Sequence, residues 1–402
     1  GNGQYDHSKL RHAISVIDAT PMSFSMRKFL EAVSDYTITP LNLILRLCTR
    51  VPDLNKPNIT QKVFSLVSNH SDFKKTPNRD RLISALLKTN KNKLTIKEIV
   101  SISGVSSAVI AAAARTGILN EELIPRDSPY PILNPDFKPK KLSPSQIDVC
   151  EKIKDLQNQN NFSAILLQGV TGSGKTEVYL EAVADALRKG EQILVLLPEI
   201  ALTSEFFNRV KNRFGENPAE WHSGVTLAER RRVWKMVASG GAKLVIGARS
   251  ALFLPFMNLG LVIVDEEHDH SYKQEDGVIY NARDMAVLRS SIERSTVILA
   301  SATPSLESWV NAKNGKYSHV QIHKRYGEAT LPNLSAIDLR KENLKSDEWI
   351  SNRLEKSITE CLQNSEQILL FLNRRGYSPT TICRACGNQI ACDQCDARMV
   401  EH

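Results

Sequence analysis

Residues 163–190 read "SAILLQGVTGSGKTEVYLEAVADALRKG". An apolar run is followed by a glycine-rich turn and then by a segment with helical periodicity, which predicts a strand, a loop and a helix in succession. The turn "GVTGSGKT" at 169–176 fits the pattern G-x-x-x-x-G-K-[ST], in which backbone N–H groups wrap a phosphate. A chance glycine turn is the alternative, and the flanking strand and helix argue against it. The stretch therefore predicts an α/β fold built around a phosphate-binding loop.

The loop carries a set of predicted nucleotide contacts. Lys175 is expected to neutralise the β- and γ-phosphates, and the Thr176 hydroxyl is expected to bind Mg²⁺. The helix that follows adds a favourable dipole at its amino end. The predicted nucleotide-binding residues of the loop are Gly169, Val170, Thr171, Gly172, Ser173, Gly174, Lys175 and Thr176.

Other β-rich runs follow along the chain. Four of them, "QILVLLP", "KLVIGA", "LVIVDE" and "STVILAS", alternate with helical segments. Nearly continuous apolar strands separated by helices indicate a parallel sheet that is covered on both faces. A further strand, "EQILLFL", is expected at 366–372. The predicted fold class is therefore α/β, with smaller helical units before the sheet.

Polar residues stand at the ends of two of these strands. Asp265 and Glu266 end the apolar run "LVIVDEEH", where Asp265 is predicted to hold Mg²⁺ through water and Glu266 to orient or deprotonate an attacking water. Exposed acidic pairs are often merely solvated, but the preceding apolar strand makes that alternative the weaker one. Ser301 and Thr303 in "SATPS" are predicted to sense the γ-phosphate region.

The composition limits the classes of protein. The chain has 402 residues, enough for two or three domains, and its net charge of +8 favours an anionic partner. No apolar run approaches the ~18 residues of a membrane span, and the start lacks the apolar core of a secretory signal. The chain begins with glycine rather than methionine, from which we expect a trimmed sequence. A cytoplasmic location with no membrane partner is the expectation.

The seven cysteines fall into two groups. Cys48, Cys150 and Cys361 stand alone and are expected to be buried thiols. The other four form two C-x-x-C pairs in "CRACGNQIACDQC", and two thiolates at this spacing can bind one zinc ion. A redox role for these pairs is the weaker alternative. The predicted zinc ligands are Cys383, Cys386, Cys392 and Cys395.

The N-terminal third of the chain has mainly helical patterns instead of β-rich runs. Helical patterns occur in 1–52, around "MRKFLEAVSDY" and "LNLILRLC". Within 56–125, Thr95 and Glu98 form a capping-box pattern, and Gly104 separates two helical stretches as in a helix-turn-helix. The proline-rich segment "PYPILNPDFKPKKLSP" then predicts an extended linker.

A series of motifs in fixed order makes the comparison sharper. The stretches "LLPEIALT", "WHSGVTLAERRRVW", "VIGARSALFLPF", "VDEEHDHSYKQEDG" and "SATPSLES" resemble those of the PriA family of replication-restart DNA helicases, within superfamily 2. The resemblance implies a RecA-like helicase lobe and an ATP-driven helicase of 3′→5′ polarity that recognises stalled forks. It also implies a bacterial, nucleoid-associated monomer that binds single-stranded and forked DNA, primosome proteins and single-stranded DNA-binding protein.

The same resemblance implies roles for individual residues. Gln146 in "LSPSQ" would contact adenine, His268 would couple hydrolysis to DNA, and Arg249 and Ser250 would lie along the single strand. In the segment from Asp269 to Tyr280, the rings of Tyr272 and Tyr280 would stack on bases and Lys273 would meet a phosphate. The alternative is that both tyrosines only pack in the core or on the surface.

The resemblance also implies a domain order. It divides the chain into part of a 3′-end DNA-binding domain (1–52), a winged-helix domain (56–125), a linker (126–144), helicase lobe 1 (145–345) and the start of lobe 2 with a partial zinc-binding insertion (346–402). Two zinc ions are implied, with only half-sites in this sequence. No arginine-finger motif follows Thr303. From these features we expect a chain truncated at both ends that binds nucleotide, hydrolyses it slowly and does not unwind DNA.

Two other function classes stay open on the sequence alone. One is an RNA helicase or restriction-type translocase with the same motor core, against which the helix-turn-helix segment and "RSALFLPF" argue. The other is a DNA-binding scaffold whose nucleotide site acts as a conformational switch.

Overall fold

The computed structural model describes residues 20–51, 54, 60–67, 76–89, 92–125, 129–159, 161–325, 333–342, 350–371 and 388. The chain divides into two compact units, 1–329 and 330–402. The first unit contains two N-terminal helices, a small α/β unit and a large parallel sheet. No single helix in the described ranges is long and apolar enough to cross a membrane; α-helices 96–103 and 107–115, bent by 113°, meet that test of length and composition only as a pair.

The N-terminal helices are α1 (Phe24–Thr37) and α2 (Leu41–Thr49). The Ser23 side chain caps α1 by accepting a hydrogen bond from the Met26 N–H at 3.1 Å. The buried side chains of α1 recur every three or four positions, at Met26, Phe29, Leu30 and Val33, so they lie along one face.

The small α/β unit contains a three-stranded antiparallel sheet in the order β2-β1-β3. Its elements are β1 (Thr60–Leu66), α3 (Pro77–Leu87), β2 (Leu94–Thr95), α4 (Ile96–Ser103), α5 (Ser107–Arg115) and β3 (Leu119–Pro125). The predicted capping box is confirmed, because the Thr95 and Glu98 side chains each bond to the other's backbone N–H. Gly104 ends α4 with a left-handed conformation, as expected of the residue between two helices.

The large sheet has seven parallel strands in the order β12-β4-β11-β8-β5-β7-β6. The elements around it are α6 (Pro144–Asn158), β4 (Ser163–Gly169), α7 (Lys175–Arg188), β5 (Gln192–Leu196), α8 (Ser204–Phe214), β6 (Ala219–Trp221), α9 (Leu227–Ala238), β7 (Leu244–Gly247), β8 (Leu259–Asp265), β9 (Lys273–Gln274), β10 (Tyr280–Asn281), α10 (Ala282–Glu293), β11 (Thr296–Ser301), α11 (Leu306–Lys313) and β12 (Ser318–Ile322). The predicted parallel sheet is confirmed. Strands β6 and β12, at the two edges, are additions to the prediction.

The strand order explains where the polar motifs meet. β11 lies between β4 and β8, so the three strands that carry "GVTGSGKT", "SATPS" and "DEEH" are neighbours. Because all three run in the same direction, their carboxyl ends open onto one edge of the sheet.

Alternate residues of the central strands enter two separate hydrophobic cores. On β8, for example, Val262 and Val264 pack in one core and Leu261 and Ile263 in the other. Helices α6, α7 and α8 contribute to the second core, whereas α1, α2, α9 and α10 contribute to the first. The sheet is therefore covered on both faces, as its apolar strands predict.

The N-terminal helices are part of the first core rather than a separate body. Phe29 of α1 packs on Phe253 with ring centroids 5.6 Å apart. The indole N–H of Trp234 on α9 donates to the Cys48 carbonyl of α2 at 2.7 Å. Residues 20–51 thus share a core with the large sheet, and their predicted membership of a 3′-end DNA-binding domain stays a prediction.

The proline-rich segment has no helix or strand from 129 to 143, as predicted. It is docked along the end of α8, because the Asn134 N–H donates to the Phe214 carbonyl at 3.0 Å and Arg213 donates to the Pro135 carbonyl at 2.6 Å. The segment then delivers Lys140 and Lys141 to the region of the phosphate loop.

The described part of the second unit contains helix α12 (Asn352–Gln363). The strand expected at 366–372 is wrong over the residues that are described, since 366–371 have no strand conformation. Leu369 and Phe371 are 88% and 78% exposed. An apolar run forms a strand only where a neighbouring strand accepts its hydrogen bonds, and no such neighbour stands beside 366–371 among the described residues.

Candidate functional site

The phosphate loop joins β4 to α7 in the conformation that its glycines predict. Gly172 and Gly174 have φ values of +78° and +81°, which side chains rarely tolerate. A Cβ on Gly174 would also lie 2.2 Å from the Gln146 Nε2 atom. Gly174 caps α7 without a side-chain hydrogen bond, so the first N–H groups of the helix remain directed at the loop's concavity.

Lys175 and Ser173 are enclosed by this loop. The Lys175 side chain is 8% exposed, and its ammonium donates to the Gly169 carbonyl at 3.0 Å. The Ser173 hydroxyl is buried and has no hydrogen-bond partner in the described part of the chain. A buried cation beside an unpaired hydroxyl and uncapped N–H groups forms a ready site for an anion.

Gln146 lies against the loop with most of its amide already bonded. Its oxygen accepts from the Ser143 N–H at 2.8 Å, completing a capping box for α6, and its Nε2 donates to the Ser173 carbonyl at 2.9 Å. It is 1% exposed but still lines the pocket beside the loop. Contact with adenine stays a prediction. Such a contact would take the second hydrogen of Nε2 or would replace the hydrogen bond to the Ser173 carbonyl.

Asp265, at the end of β8, is tied to the helix that follows the phosphate loop. The Tyr179 hydroxyl of α7 donates to Asp265 Oδ2 at 2.8 Å, and the Glu266 N–H donates to Oδ1 at 3.0 Å. Burial raises the pKa of Asp265 above its usual value, and the Glu266 charge adds to this, whereas the bond from Tyr179 and the Lys175 charge oppose it.

Tyr179 is a site residue that the sequence did not reveal. Its ring is fully buried, and burial raises the pKa of its hydroxyl well above the usual range, with the Asp265 charge adding to this and the Thr176 hydroxyl opposing it. Tyr179 therefore stands between the two predicted magnesium ligands, Thr176 and Asp265. Its position four residues after Lys175 on one helix face was the available signal.

Glu266 turns the chain out of the strand. Its φ of +46° is left-handed, a conformation that costs a residue with a side chain roughly 1–2 kcal/mol. The Glu266 carboxylate lies 3.7 Å from His268 Nδ1, and His268 Nδ1 lies 2.8 Å from the Ser301 hydroxyl. Ser301 in turn accepts from the Thr303 N–H at 3.0 Å. Glu266 and the three predicted coupling residues thus form one continuous set of contacts.

The chain is similar to known helicases and replication restart proteins. The DEAD/DEAH box helicase family matches residues 143–311. The replication restart protein PriA of Rickettsia felis is 49% identical over 245 residues, which cover 61% of this chain and 38% of that protein. The PriA of Rickettsia conorii is 41% identical over 355 residues, covering 88% of this chain and 53% of the relative. The PriA of Bacillus subtilis is 38% identical over 313 residues, covering 77% and 39%.

The chain belongs to the PriA family. It spans 38–53% of the length of these three curated relatives.

One predicted feature of the site is wrong. Tyr272 and Tyr280 are 1% and 3% exposed, so neither ring offers a face to a base. The Tyr272 hydroxyl lies 2.6 Å from the Asp265 carbonyl oxygen and 3.0 Å from that of Leu196, and its one proton is held between them. Tyr280 packs edge-on against Phe253 at 5.1 Å. Both rings are core residues because the segment folds back on the strand ends instead of projecting from them.

The other predicted DNA contacts of this chain are accessible. Lys273 is exposed, and Arg249 donates to the carbonyls of Ser271 and Lys273 at 2.9 and 3.0 Å. The Ser250 hydroxyl accepts from the Trp221 indole at 3.1 Å. The Arg249 bonds fix the start of the 269–281 segment, and contact of these three residues with DNA stays a prediction.

Glu267, the third acid of "DEEH", was missed by sequence reasoning. It is 1% exposed, and its carboxylate accepts from the Ser305 N–H at 2.7 Å and from the Ser305 and Ser308 hydroxyls at 2.9 Å. Arg283 lies 3.5 Å from the same carboxylate. Glu267 therefore joins the end of β8 to the start of α11. Three adjacent acids after a buried strand were the available signal.

The remaining predictions concern cysteines. Cys383, Cys386, Cys392 and Cys395 lie outside the described residues. Within the described ranges, no group of three or more His, Cys, Asp or Glu residues is placed to hold a metal ion. Cys48 is buried as expected, and burial raises its pKa to about 11, whereas Cys150 and Cys361 are partly exposed.

Proposed function

We propose that this chain is the nucleotide-binding part of an ATP-dependent DNA helicase that acts in replication restart. The observation that supports it most is the meeting of three motifs on adjacent strand ends, with Asp265 of β8 bonded to Tyr179 of the phosphate-loop helix. A loop that binds phosphate and a carboxylate that binds its metal must lie this close for one nucleotide to contact both.

Magnesium fits the donors that the site offers. Thr176 supplies a hydroxyl oxygen and Asp265 a carboxylate, both in contact with Tyr179, and Mg²⁺ commonly takes one or two protein oxygens with waters and phosphates. In the proposed complex, Mg²⁺ lowers the charge on the β- and γ-phosphates. Lys175 exchanges its bond to the Gly169 carbonyl for a phosphate oxygen.

Glu266 is proposed to hold the attacking water, and His268 to report the state of the site. The Glu266 carboxylate is half-exposed and reaches His268, which is bonded to Ser301. A shift of the loop after β11 therefore changes the hydrogen bonding of His268 and, through it, the position of Glu266. Thr303 is linked to the same serine.

DNA is the proposed polymer partner. The net charge of +8 favours it, and Arg249, Ser250 and Lys273 are the proposed contacts. Recognition of stalled forks, 3′→5′ polarity, and contacts with primosome proteins and single-stranded DNA-binding protein are proposed from the family. So are a winged-helix role for 56–125, two zinc ions held with the help of the C-x-x-C cysteines, a monomeric state and a location at the bacterial nucleoid.

The proposal is tested by measuring whether binding of DNA changes the affinity for nucleotide. We expect the affinity for Mg²⁺-ADP to change when single-stranded DNA is added, and forked DNA to bind more tightly than duplex RNA, as measured by fluorescence anisotropy. Lys175→Ala should abolish nucleotide binding while DNA binding without nucleotide persists, because the lysine is buried in the loop. A chain that binds neither nucleotide nor DNA, or that prefers duplex RNA, would contradict the proposal.

A further inference from the structure

A pocket of about 400 Å³ lies beside the phosphate loop. Its wall is formed by Lys140, Lys141, Gln146, Gly172, Gly174, Glu177 and Arg209. The loop and Lys175 take the phosphates at one end. The rest of the pocket is therefore the space left for the nucleoside of the same ligand.

Among the described residues that form this wall, Glu177, in the first turn of α7, is the one with a carboxylate. Its Oε1 atom accepts from Lys140 Nζ at 3.0 Å and from Arg209 Nε at 3.0 Å, and a second Arg209 nitrogen contacts the same oxygen. Its Oε2 atom has no hydrogen-bond partner among the described residues. Oε2 stands 3.6 Å from where a Cβ would lie on Gly174, on the same side of that glycine as the Gln146 amide, and all three residues line the pocket.

The two cations keep this carboxylate charged. Burial would raise the pKa of Glu177, but the hydrogen bonds from Arg209 and Lys140 outweigh burial and hold the pKa below its usual value. Their positive charges also oppose its repulsion toward a bound phosphate. The result is a fixed acceptor oxygen that faces the nucleoside space.

We infer that Glu177 Oε2 accepts a hydrogen bond from a ribose hydroxyl of the bound nucleotide, and so makes the site select for the sugar. The inference rests on the nucleotide site proposed above. A hydroxyl donor fits because the free atom is an acceptor with spare lone pairs. A ligand that lacks the hydroxyl leaves this oxygen unpaired, and we expect it to bind roughly five- to twentyfold more weakly.

The test compares ADP, 2′-deoxy-ADP and 3′-deoxy-ADP by titration calorimetry with Mg²⁺ present. The unmodified chain should bind at least one deoxy analogue several-fold more weakly than ADP. Glu177→Ala should bring the three affinities together, whereas Glu177→Gln, which keeps an acceptor oxygen, should retain part of the preference. Glu181→Gln, one turn further along α7 and paired with Arg213, is the matched control and should keep the full preference.

The outcomes separate this inference from the function on which it rests. If ADP binds but the unmodified chain treats all three nucleotides alike, or Glu177→Ala keeps the preference, the role of Glu177 is wrong and the nucleotide site stands. If ADP does not bind at all, the proposed function itself fails. Circular dichroism of each variant establishes that it is folded.

Discussion

At the residue scale, the site depends on one buried carboxylate and on the hydroxyl that holds it. The positions of Asp265 at a strand end and of Lys175 in the phosphate loop after another strand could be predicted, because each stands at a fixed place in a short motif next to an apolar strand. Tyr179 and Glu267 could not, because their roles come from which helix covers which strand end. The predicted stacking role of Tyr272 was wrong for the same reason, because the sequence does not show whether an aromatic side chain in a polar segment is exposed or packs in the core.

Two tyrosines in the same lobe provide a matched pair for measuring the Asp265 contact. Tyr179→Phe removes the hydrogen bond to a buried carboxylate and should lower the free energy of unfolding by about 1.5–3 kcal/mol. Tyr280→Phe removes a buried hydroxyl that has no partner in the described residues, so it should be neutral or slightly stabilising. Urea denaturation measures both. Equal losses would mean that the Tyr179 bond contributes nothing specific.

The raised pKa of Asp265 predicts how the stability of the fold depends on pH. Because the folded state holds the Asp265 proton more tightly than the unfolded state, stability falls as pH rises from the ordinary value of 3.8 through the raised folded pKa. Asp265→Asn removes this loss. The variant should therefore melt at a higher temperature than the unmodified chain near neutral pH without nucleotide. The difference should vanish below about pH 4, and a difference independent of pH would contradict the assigned cause.

At the element scale, buried side-chain contacts join the residues that follow β8 to those that follow β11. Glu267 of β8's extension bonds to the first turn of α11, and Arg283 at the start of α10 lies beside the same carboxylate. The 269–281 segment ends where α10 begins, so its exit is fixed to the motifs around the nucleotide. The segment therefore contacts the nucleotide motifs through this buried carboxylate as well as through the Tyr272 hydroxyl, which bonds to the Asp265 carbonyl.

Removal of this link should be costly, whereas removal of a nearby exposed acid should not. Glu267→Ala leaves the N–H and hydroxyl of Ser305 and the buried Ser308 hydroxyl without their carboxylate acceptor and removes the buried acidic neighbour of Arg283, and we expect a loss of roughly 3–5 kcal/mol in the free energy of unfolding. Glu307→Ala removes a carboxylate that is 71% exposed and 3.6 Å from the same arginine, and should cost under about 1 kcal/mol. Similar losses for the two variants in chemical denaturation would show that the Glu267 contacts are not stabilising.

At the scale of the whole first unit, the sequence predicted the class of fold but not the edge strands or the helices that complete the core. The apolar strands and intervening helices lead directly to a parallel sheet, because period and length are local properties. The edge strands β6 and β12 are short or half-exposed, so their patterns are weak. The sequence did not predict that α1 and α2 complete the core of the lobe. An apolar face shows that a helix is buried, but it does not show which element the helix packs against.

The shared core predicts that the N-terminal helices unfold together with the sheet. Phe29→Ala removes a ring packed on Phe253 and should lower the stability of the lobe by about 3–5 kcal/mol. Phe24→Ala, on the same helix but 63% exposed, is the control and should have little effect. Fluorescence of Trp221 and Trp234, both in the lobe, follows the transition. If the lobe of the Phe29→Ala variant unfolds at the same denaturant concentration as the lobe of the unmodified chain, the helices unfold independently of the sheet.

The central claim is that one nucleotide and its metal are held jointly by the loop after β4 and the carboxylate that ends β8. The most direct test is the affinity for ADP measured with and without Mg²⁺. We predict that Mg²⁺ strengthens binding by about tenfold or more in the unmodified chain, that Lys175→Ala abolishes binding in both conditions, and that Asp265→Asn removes only the gain from Mg²⁺. An Asp265→Asn variant with an undiminished magnesium effect, or a Lys175→Ala variant that binds normally, would contradict it.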